Sequence, residues 1–384
     1  MSLVSRAAGS ALRRRFPVSA VYEGSNGTAW LVGVERNASS IAGFFCGEDI
    51  SLTRGGRVSQ RRIPRRITEI VDHRGLAIVN PRESGPQIDA ILHRAVPVPA
   101  LVDIHTDLPS DIDSLRAQLL TSTTREDFRR IRRANFSFRV TNDPDAIREF
   151  HARHYAPLVA QQHPEDGRVR PLKKMLTDLD RGAELVCADI DGEWVAGIMN
   201  LPHQDSYALV SLGIRDADNS IRQKRVVAAL IVRSLERAIE LGRDKATLGR
   251  SVPFLGKGPV WFKVKWKGTV TRQPRTGTMY FFMDLRHEAV RRMLSASPLI
   301  HSKGDELVVS AWLEPGEKPL QTTIREAGRF PGISRWYVLA EPGTLAAGAE
   351  QLADNERIVP VPVTPSGDQP IWLGEVLPGP TGSA

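Results

Sequence analysis

The densest cluster of side chains that could bind a ligand in this sequence is a run of arginines. Residues 125–139 contain six arginines against two acids, Glu126 and Asp127. Because residues three or four positions apart share a helix face, Arg129 and Arg133 would project together from a helix. Such guanidinium groups could bind the phosphates of a nucleotide-linked acceptor or of tRNA. The alternative is a solvated helix face without a ligand.

Other familiar motifs indicate neither a metal site nor a nucleotide-binding fold. His151 and His154 form a His-x-x-His pair with His163 nearby, but no acid or cysteine stands at ligand spacing, so we expect no metal. The sequence contains no Walker A loop, no G-x-S-x-G elbow and no G-x-G-x-x-G fingerprint. Cys187 falls in an apolar run and is expected to be a core residue.

The composition is that of a globular protein in a reducing compartment. The chain has 384 residues, of which 41% are hydrophobic and 25% charged, and its formal net charge is +8. That length favours two or three domains, and since no run of about 18 apolar residues occurs, we expect no transmembrane helix. Two cysteines cannot build a disulfide framework, so a cytoplasmic protein is expected. Residues 1–15 carry four arginines and no acid, which indicates a basic arm or first helix, with a transit peptide as the alternative.

Residues 1–110 are expected to form a β-rich domain. Apolar residues alternate in short runs between turn residues, and we predict strands at 41–45 and 67–71 among them. The segments that begin at Trp30 and Glu184 share a strand–turn–strand pattern with an Ala-Gly pair in the last strand. This similarity raises the hypothesis that the first domain is a degenerate repeat of the one that follows it.

Residues 111–285 predict a mixed α/β domain, and a smaller unit follows it. Helical patterns come first, and three apolar runs between 185 and 214 then predict an antiparallel meander. A long amphipathic helix is expected from about 221 to 241, and alternation predicts a further strand at 261–266. Residues 286–384 predict a small α/β unit that ends in a disordered tail.

The order of elements in residues 111–285 resembles the GNAT acyltransferase fold, and in particular its FemAB-type and BioF2-like branch. The stretches that carry the resemblance are TREDFRRIRRA from Thr124, ELVCADIDGEWVAGIMN from Glu184, ERAIELG ending at Gly242 and GRSVPFLGKGPVWFKVKWKG from Gly249. The resemblance implies an α/β (α+β) fold with a mixed, mainly antiparallel sheet flanked by helices. If residues 1–110 are a repeat, they would be a degenerate GNAT-like domain.

The resemblance implies an activity as well as a fold. The FemAB-type branch contains peptidoglycan bridge-forming and aminoacyl-tRNA-using transferases, whereas acyl-CoA is the commonest donor of the wider fold. We therefore expect transfer of an acyl or aminoacyl group from acyl-CoA or aminoacyl-tRNA to an amine or hydroxyl of a small-molecule or cell-wall-precursor acceptor. The implied partner is tRNA, and no tightly bound cofactor is implied. The alternative from another class is a non-catalytic RNA-binding or scaffold protein on the same fold.

The phosphates of the donor are expected where the long helix begins. In GNAT-like folds the strand before this helix splays from its neighbour, and the free N–H groups of the helix start make an anion site. Acyl-CoA-using members typically show Q/R-x-x-G-x-G/A there, whereas this chain has RQKRVV, without glycine, and FemAB-like proteins also lose these glycines. The residues that the resemblance assigns to the donor are Gly213, Ile214, Arg222, Gln223, Lys224, Arg225 and Val226. The alternative is a solvated helix start with ordinary basic residues.

Lys263 is the residue that the resemblance assigns to catalysis. Phe262-Lys263 resembles the Phe-Lys pair near the acceptor and transfer site of FemAB-type proteins, where the lysine helps to stabilise charge as the acyl group moves. The alternative follows from the predicted strand, which places Lys263, Lys265 and Lys267 on one solvent face.

Further candidates are assigned to substrate binding and to proton transfer. Those for substrate binding are Arg129, Arg133, Trp261 and Phe262. Tyr207 or His203 could act as a general acid or base near the splayed strands. Direct attack by a neutral amine on an activated acyl group needs little acid–base help, so neither residue is required.

Overall fold

The computed structural model describes residues 17–34, 38–47, 49–84, 86–162, 169–256, 258–273 and 277–378. The expected basic arm at residues 1–15, His163 and most of the expected C-terminal tail lie outside these ranges.

Short strands and helices alternate along the described residues. The strands are β1 (Val18–Gly24), β2 (Gly27–Val32), β3 (Ser51–Arg57), β4 (Gly75–Val79), β5 (Ala95–Pro99), β6 (Val102–Asp107), β7 (Ser137–Thr141), β8 (Glu184–Ile190), β9 (Glu193–Pro202), β10 (Ser206–Ile214), β11 (Lys245–Ser251), β12 (Thr269–Arg272), β13 (Thr278–Met283), β14 (Leu299–Lys303), β15 (Glu306–Trp312), β16 (Arg335–Ala340) and β17 (Ile358–Pro362). The α-helices are α1 (Ala38–Cys46), α2 (Ile63–Arg74), α3 (Pro81–Ser84), α4 (Ile112–Leu119), α5 (Arg125–Ala134), α6 (Pro144–Glu149), α7 (Ala156–Gln162), α8 (Leu172–Leu179), α9 (Asn219–Gln223), α10 (Val226–Glu240), α11 (Pro259–Val264), α12 (Glu288–Ala296), α13 (Glu317–Ala327), α14 (Pro342–Ala347), α15 (Ala349–Ala353) and α16 (Leu373–Val376). Short 3-10 segments lie at Gln60–Arg62, Pro86–Arg94 and Arg215–Ala217, and a π-helical segment lies at Phe150–Tyr155.

The chain folds into two compact units, and each is built from separated stretches of sequence. Unit 1 comprises the described residues of 1–102, 251–261 and 270–384, and unit 2 comprises those of 103–250 and 262–269. This division differs from the expected one into three consecutive parts, with boundaries after residues 110 and 285.

The C-terminal residues belong to unit 1 because they share its hydrophobic core. Leu294, Leu299 and Leu339 lie in one buried cluster with Leu31 and Ile78 from the N-terminal part. Unit 1 contains a six-stranded sheet in the order β3-β1-β2-β4-β13-β5 and a four-stranded sheet in the order β14-β15-β16-β17. Strand β13 pairs with both β4 and β5, so the first sheet also joins distant parts of the sequence.

Two predicted strands of the N-terminal part are helices. Residues 41–45 lie in α1 and residues 67–71 lie in α2. In α2 the fully buried side chains Ile63, Ile67 and Val71 recur every four residues, which places them on one helix face. The predicted strands at 41–45 and 67–71 are therefore wrong.

The two segments whose sequences suggested a repeat have different structures. The Ala-Gly pair at 196–197 lies in β9, whereas the pair at 42–43 lies in α1. A residue in a strand and a residue in a helix cannot occupy equivalent positions in two copies of one domain. The similarity of these two segments therefore gives no support to the hypothesis of a degenerate repeat.

Unit 2 is organised around sheet strands in the order β6-β11-β10-β9-β8-β7. Strands β7 to β10 pair antiparallel with one another in sequence order, which confirms the meander and the mainly antiparallel character of the sheet. Val186 of β8 lies in one buried cluster with Leu230 of α10. On the other face Leu185 and Cys187 lie in a cluster with Phe150. Helices therefore pack on both faces, and the expected mixed α/β fold is confirmed.

The predicted strand at 261–266 is wrong. Residues up to Val264 form α11, and the backbone N–H of Trp266 donates to the Lys263 carbonyl over 3.0 Å in the turn that follows. A proline at the start favours this helix, since it lacks the N–H that a first helical position cannot use. The lysines consequently do not share one solvent face, because Lys265 is ion-paired with Asp127.

The expected long helix at 221–241 is present but divided. Helix α9 ends at Gln223 and α10 begins at Val226. Between them Arg225 has a φ of 69°, which belongs to left-handed backbone and interrupts the helix. At the other end Gly242 has a φ of 64°, a left-handed conformation that follows the last helical residues and ends the helix.

Candidate functional site

Strands β10 and β11 are paired at one end and separate at the other. They run parallel and pair through only three residue pairs, from Ser206 with Lys245 to Ala208 with Thr247. Both strands continue beyond these pairs, β10 to Ile214 and β11 to Ser251. A gap between diverging parallel strands is a common place for ligands, because backbone groups there are not used by the sheet.

A β-bulge marks the point on β10 where the gap begins. On the side of β9, Leu209 pairs with Asn200 and Ser211 pairs with Met199, so Val210 is the extra residue. Bulges bend a strand and re-aim its groups, and they are frequent beside active sites. The buried hydroxyl of Ser211 makes no hydrogen bond to any described residue. No residue type in the sequence signals this bulge.

Lys263 reaches into the same gap. Its Nζ donates to the carbonyl oxygen of Arg250 in β11 over 2.9 Å. A methyl group built on Gly249 would lie 3.6 Å from the carbonyl oxygen of Leu209 and 3.7 Å from Lys263 Nζ. The ammonium group, a glycine of β11 and a carbonyl of β10 therefore converge where the two strands no longer pair.

The surroundings of Lys263 change its proton affinity. Burial lowers the pKa of its ammonium group to about 8, because the charged form is poorly solvated there. The negative charge of Asp103 in β6 acts in the opposite direction and raises this pKa. Sequence reasoning missed Asp103, since an acid in a strand carries no sign of the lysine that the fold places near it.

The loop expected to hold phosphates keeps the backbone shape of a glycine loop without glycine. In the pattern Q/R-x-x-G-x-G/A, the first glycine corresponds to Arg225, whose left-handed φ of 69° is one that glycine adopts readily. The side chains of Arg222, Gln223 and Lys224 are exposed. The first hydrogen bond of α10 runs from Ala229 N to Arg225 O, so the preceding N–H groups have no partner within the helix.

Three of the residues assigned to the donor lie inside the protein. Gly213 is packed against the π-helical segment, because a Cβ there would lie 2.7 Å from the carbonyl carbon of His154 and 2.7 Å from a ring atom of Phe150. Ile214 and Val226 are buried side chains of one hydrophobic cluster. These three residues shape the loop from within, and their side chains offer no surface to a donor.

The side chain of Tyr207 is engaged by other residues of the protein. It is fully buried, and its hydroxyl donates to Glu184 Oε1 over 2.6 Å. Glu184 also accepts two hydrogen bonds from Arg237, of 2.9 and 3.0 Å. Burial and the neighbouring carboxylate raise the pKa of Tyr207 far above its ordinary value. These contacts engage the Tyr207 hydroxyl within the protein, and its assignment as a catalytic acid or base stays a prediction.

The candidates for substrate binding fall in two places. Arg129 donates two hydrogen bonds to Glu126 within α5, of 2.7 and 2.9 Å, and Arg133 is exposed on the same helix. Phe262 precedes Lys263 in α11, and its ring lies edge-on to that of Trp266, with the centroids 6.4 Å apart. Trp261 is half-buried in the same helix. The structure therefore brings Phe262 and Trp261 to the segment of Lys263, whereas the contacts of Arg129 stay within α5.

Metal and membrane chemistry receive no support from the described residues. Among them no group of three or more His, Cys, Asp or Glu side chains could hold a metal ion. Cys46 and Cys187 are buried free thiols. No helix in the described ranges is long and apolar enough to cross a membrane.

Comparisons with known proteins bear on the central part of the chain. A family model described as an acetyltransferase (GNAT) domain matches residues 121–256. No curated protein matches the chain. Similar solved structures include FemX, at 11% identity and a TM-score of 0.38 over 73% of this chain and 92% of that one. L-PGS from Bacillus licheniformis shows 14% identity and a TM-score of 0.31 over 73% and 85%. A GCN5-related N-acetyltransferase from Sphaerobacter thermophilus shows 11% and 0.32 over 54% and 59%.

The family match confirms the resemblance to the GNAT fold. It contains the splayed strands, the bulge and the loop before α10, and it ends before α11 and Lys263. Residues 121–256 of this chain match the family model of a GNAT acetyltransferase domain.

Proposed function

We propose that the protein transfers an acyl or aminoacyl group to an amine or hydroxyl acceptor in the gap between β10 and β11. The observation that carries the proposal is the position of Lys263. Its ammonium group lies beside the half-buried Gly249 and the Leu209 carbonyl, where two parallel strands within the GNAT match no longer pair. Acyl transfer is the reaction class that the GNAT match supports.

The chemistry assigned to this gap is direct attack. The acceptor nitrogen or oxygen forms a bond to the acyl carbon, negative charge collects on the carbonyl oxygen, and the bond to the sulfur or oxygen of the donor then breaks. The acceptor proton leaves to solvent or to the departing group. A positioned ammonium group stabilises the charge on the carbonyl oxygen more in the transition state than in the ground state, which is what accelerates the reaction. Lys263 has this role in the proposal.

In the proposal, the protein recognises the donor through the phosphates that the donor carries. Acyl-CoA and aminoacyl-tRNA both carry phosphates beside an activated acyl group, and both occur in the cytoplasm, where we place the reaction. The exposed side chains of Arg222 and Lys224, with the free N–H groups at the start of α10, are the anion-binding elements of the proposal. The acceptor is proposed to be a small molecule or a cell-wall precursor.

A thermal-shift titration with CoA and acetyl-CoA, at low and moderate salt, tests the donor. A ligand that binds only the native state adds about 2.7 kcal/mol of stability at one hundred times its Kd. We expect a saturable rise of Tm with one of the two donor classes. If millimolar CoA produces no shift, acyl-CoA is excluded, and charged and uncharged tRNA are titrated next. Failure of both classes to bind would contradict the proposal.

Replacement of Lys263 distinguishes the proposed enzyme from the alternative, an RNA-binding protein without catalysis. Both an aminoacyl-tRNA-dependent enzyme and an RNA scaffold would bind tRNA with a steep salt dependence. Only the enzyme loses aminoacyl transfer when Lys263 is replaced while tRNA affinity stays the same.

A further inference from the structure

Asp127 is a buried carboxylate that contacts two cations from two different segments of the proposed site. Its side chain is only 4% exposed, and Oδ1 lies 3.3 Å from Nε of Arg225, the residue at the start of α10. Its Oδ2 is ion-paired with Nζ of Lys265, in the turn after α11. The side chain of Lys265 is only 12% exposed, so loss of the Asp127 carboxylate would leave a mostly buried cation without compensation, whereas Arg225 is 45% exposed and keeps solvent contact. Both segments are therefore tied to one side chain of α5.

The contact with Arg225 stabilises an unfavourable backbone conformation. An L-residue with a side chain is disfavoured at a φ of 69°, where a GNAT glycine would stand without strain. The side chain that causes the strain also supplies the guanidinium group that reaches Asp127. The ion pair thus holds the loop in the conformation that glycine would otherwise make possible, and it turns Arg225 toward α5.

The contact with Lys265 fixes the turn that ends the helix of Lys263. Trp266 in this turn is fully buried. Its ring is edge-on to Phe128 of α5, with the centroids 6.1 Å apart, and edge-on to Phe262. The backbone N–H of Trp266 donates to the Lys263 carbonyl over 3.0 Å. A shift of this turn relative to α5 would therefore shift the backbone of Lys263.

We propose that Asp127 is a positioning residue, which sets the donor loop and the lysine segment at the same time through the Arg225–Asp127–Lys265 cluster. The proposal deepens the proposed function and rests on it for its catalytic meaning. The positioning itself is a property of the free protein and can be measured without any substrate.

Amide hydrogen exchange on the full chain tests the positioning. Asp127→Asn keeps the size of the side chain and removes its charge, and we expect exchange about tenfold faster at residues 224–229 and 263–268, with the strands of unit 2 unchanged. Glu126→Gln is the matched control, because Glu126 precedes Asp127 in α5 but pairs with Arg129 and Arg130. It should leave both segments unchanged. Wild-type exchange in Asp127→Asn, or an even increase over all of unit 2, would overturn the proposal.

A conservative variant separates the charge from the shape of the side chain. Asp127→Glu keeps a carboxylate and should exchange at both segments more like the wild type than like Asp127→Asn. If it exchanges as fast as Asp127→Asn, the ion cluster does not hold the segments and the proposal is wrong.

Kinetics with the donor found by thermal shift adds a readout that general stability would not move. Asp127→Asn should weaken donor affinity and lower turnover together, whereas Lys263→Met should lower turnover alone. Wild-type affinity and turnover in Asp127→Asn would contradict the proposal. If no donor binds the wild type, the proposed function fails while the exchange experiment still decides whether Asp127 positions the two segments.

Discussion

The two halves of strand β10 belong to one continuous strand but differ in their contacts. In the first half Tyr207 lies where β10 is still paired with β11, and its hydroxyl and the carboxylate of Glu184 are engaged with each other and with Arg237. In the second half, from Leu209 onward, β10 no longer pairs with β11, and Lys263 lies at the gap. Hydrogen bonds completed within the sheet stabilise the fold, whereas in the proposed function the backbone released from pairing is the part that meets a substrate.

The largest effect is expected beside the second half of β10, which does not pair with β11, from Lys263→Met. Loss of one charge-stabilising donor lowers turnover by about 100-fold, a typical effect for such groups, because the carbonyl oxygen of the transition state loses its cation. Transfer should be measured with the donor that stabilises the protein, and Tm and donor affinity should stay close to those of the wild type. Full turnover in this variant would remove Lys263 from the mechanism.

In the first half of β10, which pairs with β11, Tyr207→Phe should lower the stability of the fold and leave the transfer reaction unchanged. The variant leaves a buried oxygen of Glu184 with fewer partners, so the free energy of unfolding should fall by about 1–3 kcal/mol. Urea denaturation measures this loss, and transfer assays under native conditions should show wild-type turnover. A large loss of turnover with unchanged stability would assign Tyr207 to the chemistry after all, and the contrast between the halves would disappear.

The pH dependence should report Lys263 directly. Because its pKa is lowered to about 8, the ammonium form is lost above that pH, and transfer should fall about tenfold per pH unit there. Lys263→Arg should lack this fall, since arginine stays charged. A lysine whose folded-state pKa lies below its ordinary value of about 10.4 binds its proton more weakly in the folded state, so its contribution to stability increases as pH rises from about 8 to about 10.4. Identical pH profiles of transfer for the wild type and the arginine variant would exclude Lys263 as the titrating group.

The smallest effect is expected at the donor loop. Replacing Arg222 and Lys224 together by glutamine should weaken donor binding by roughly three- to tenfold at low salt, and less at moderate salt, because exposed charges at a helix start act through screened fields. The matched control replaces Arg129 and Arg133 of α5 by glutamine. Thermal-shift titration gives both affinities. If the control pair weakens binding more, the phosphates lie against α5 and the arginine run takes over the role of the loop.

The sequence was informative where the signal is local. The meander and the amphipathic character of α10 follow from the spacing of apolar residues over one or two turns or strands. The sequence placed the start of the long helix at about 221, whereas α10 begins at Val226 after the left-handed Arg225, which the sequence did not indicate. In the sequence, the two acids among the arginines of residues 125–139 show only their negative charge. Nothing in their spacing distinguishes Asp127, whose side chain is buried, from Glu126, whose side chain is exposed.

The predictions that failed depended on contacts between distant residues. Short apolar runs at 41–45 and 261–266 fit a strand or a helix equally well, and only packing decides between them. Tyr207 and Lys263 are both plausible catalytic side chains by type. One is buried against Glu184 and the other reaches the Arg250 carbonyl, through contacts that the sheet and helix packing create.

The sequence by itself determined the GNAT-like order of elements, the basic loop before α10 and the choice of Lys263 as the residue to test, because periodicity and short motifs are properties of neighbouring residues. Only the tertiary structure decided that α11 is a helix, that β10 opens after Ala208, and that Asp127 joins Arg225 to Lys265. The physical reason is that burial and ion pairing depend on which distant side chains meet, and the chain makes those choices only when it packs.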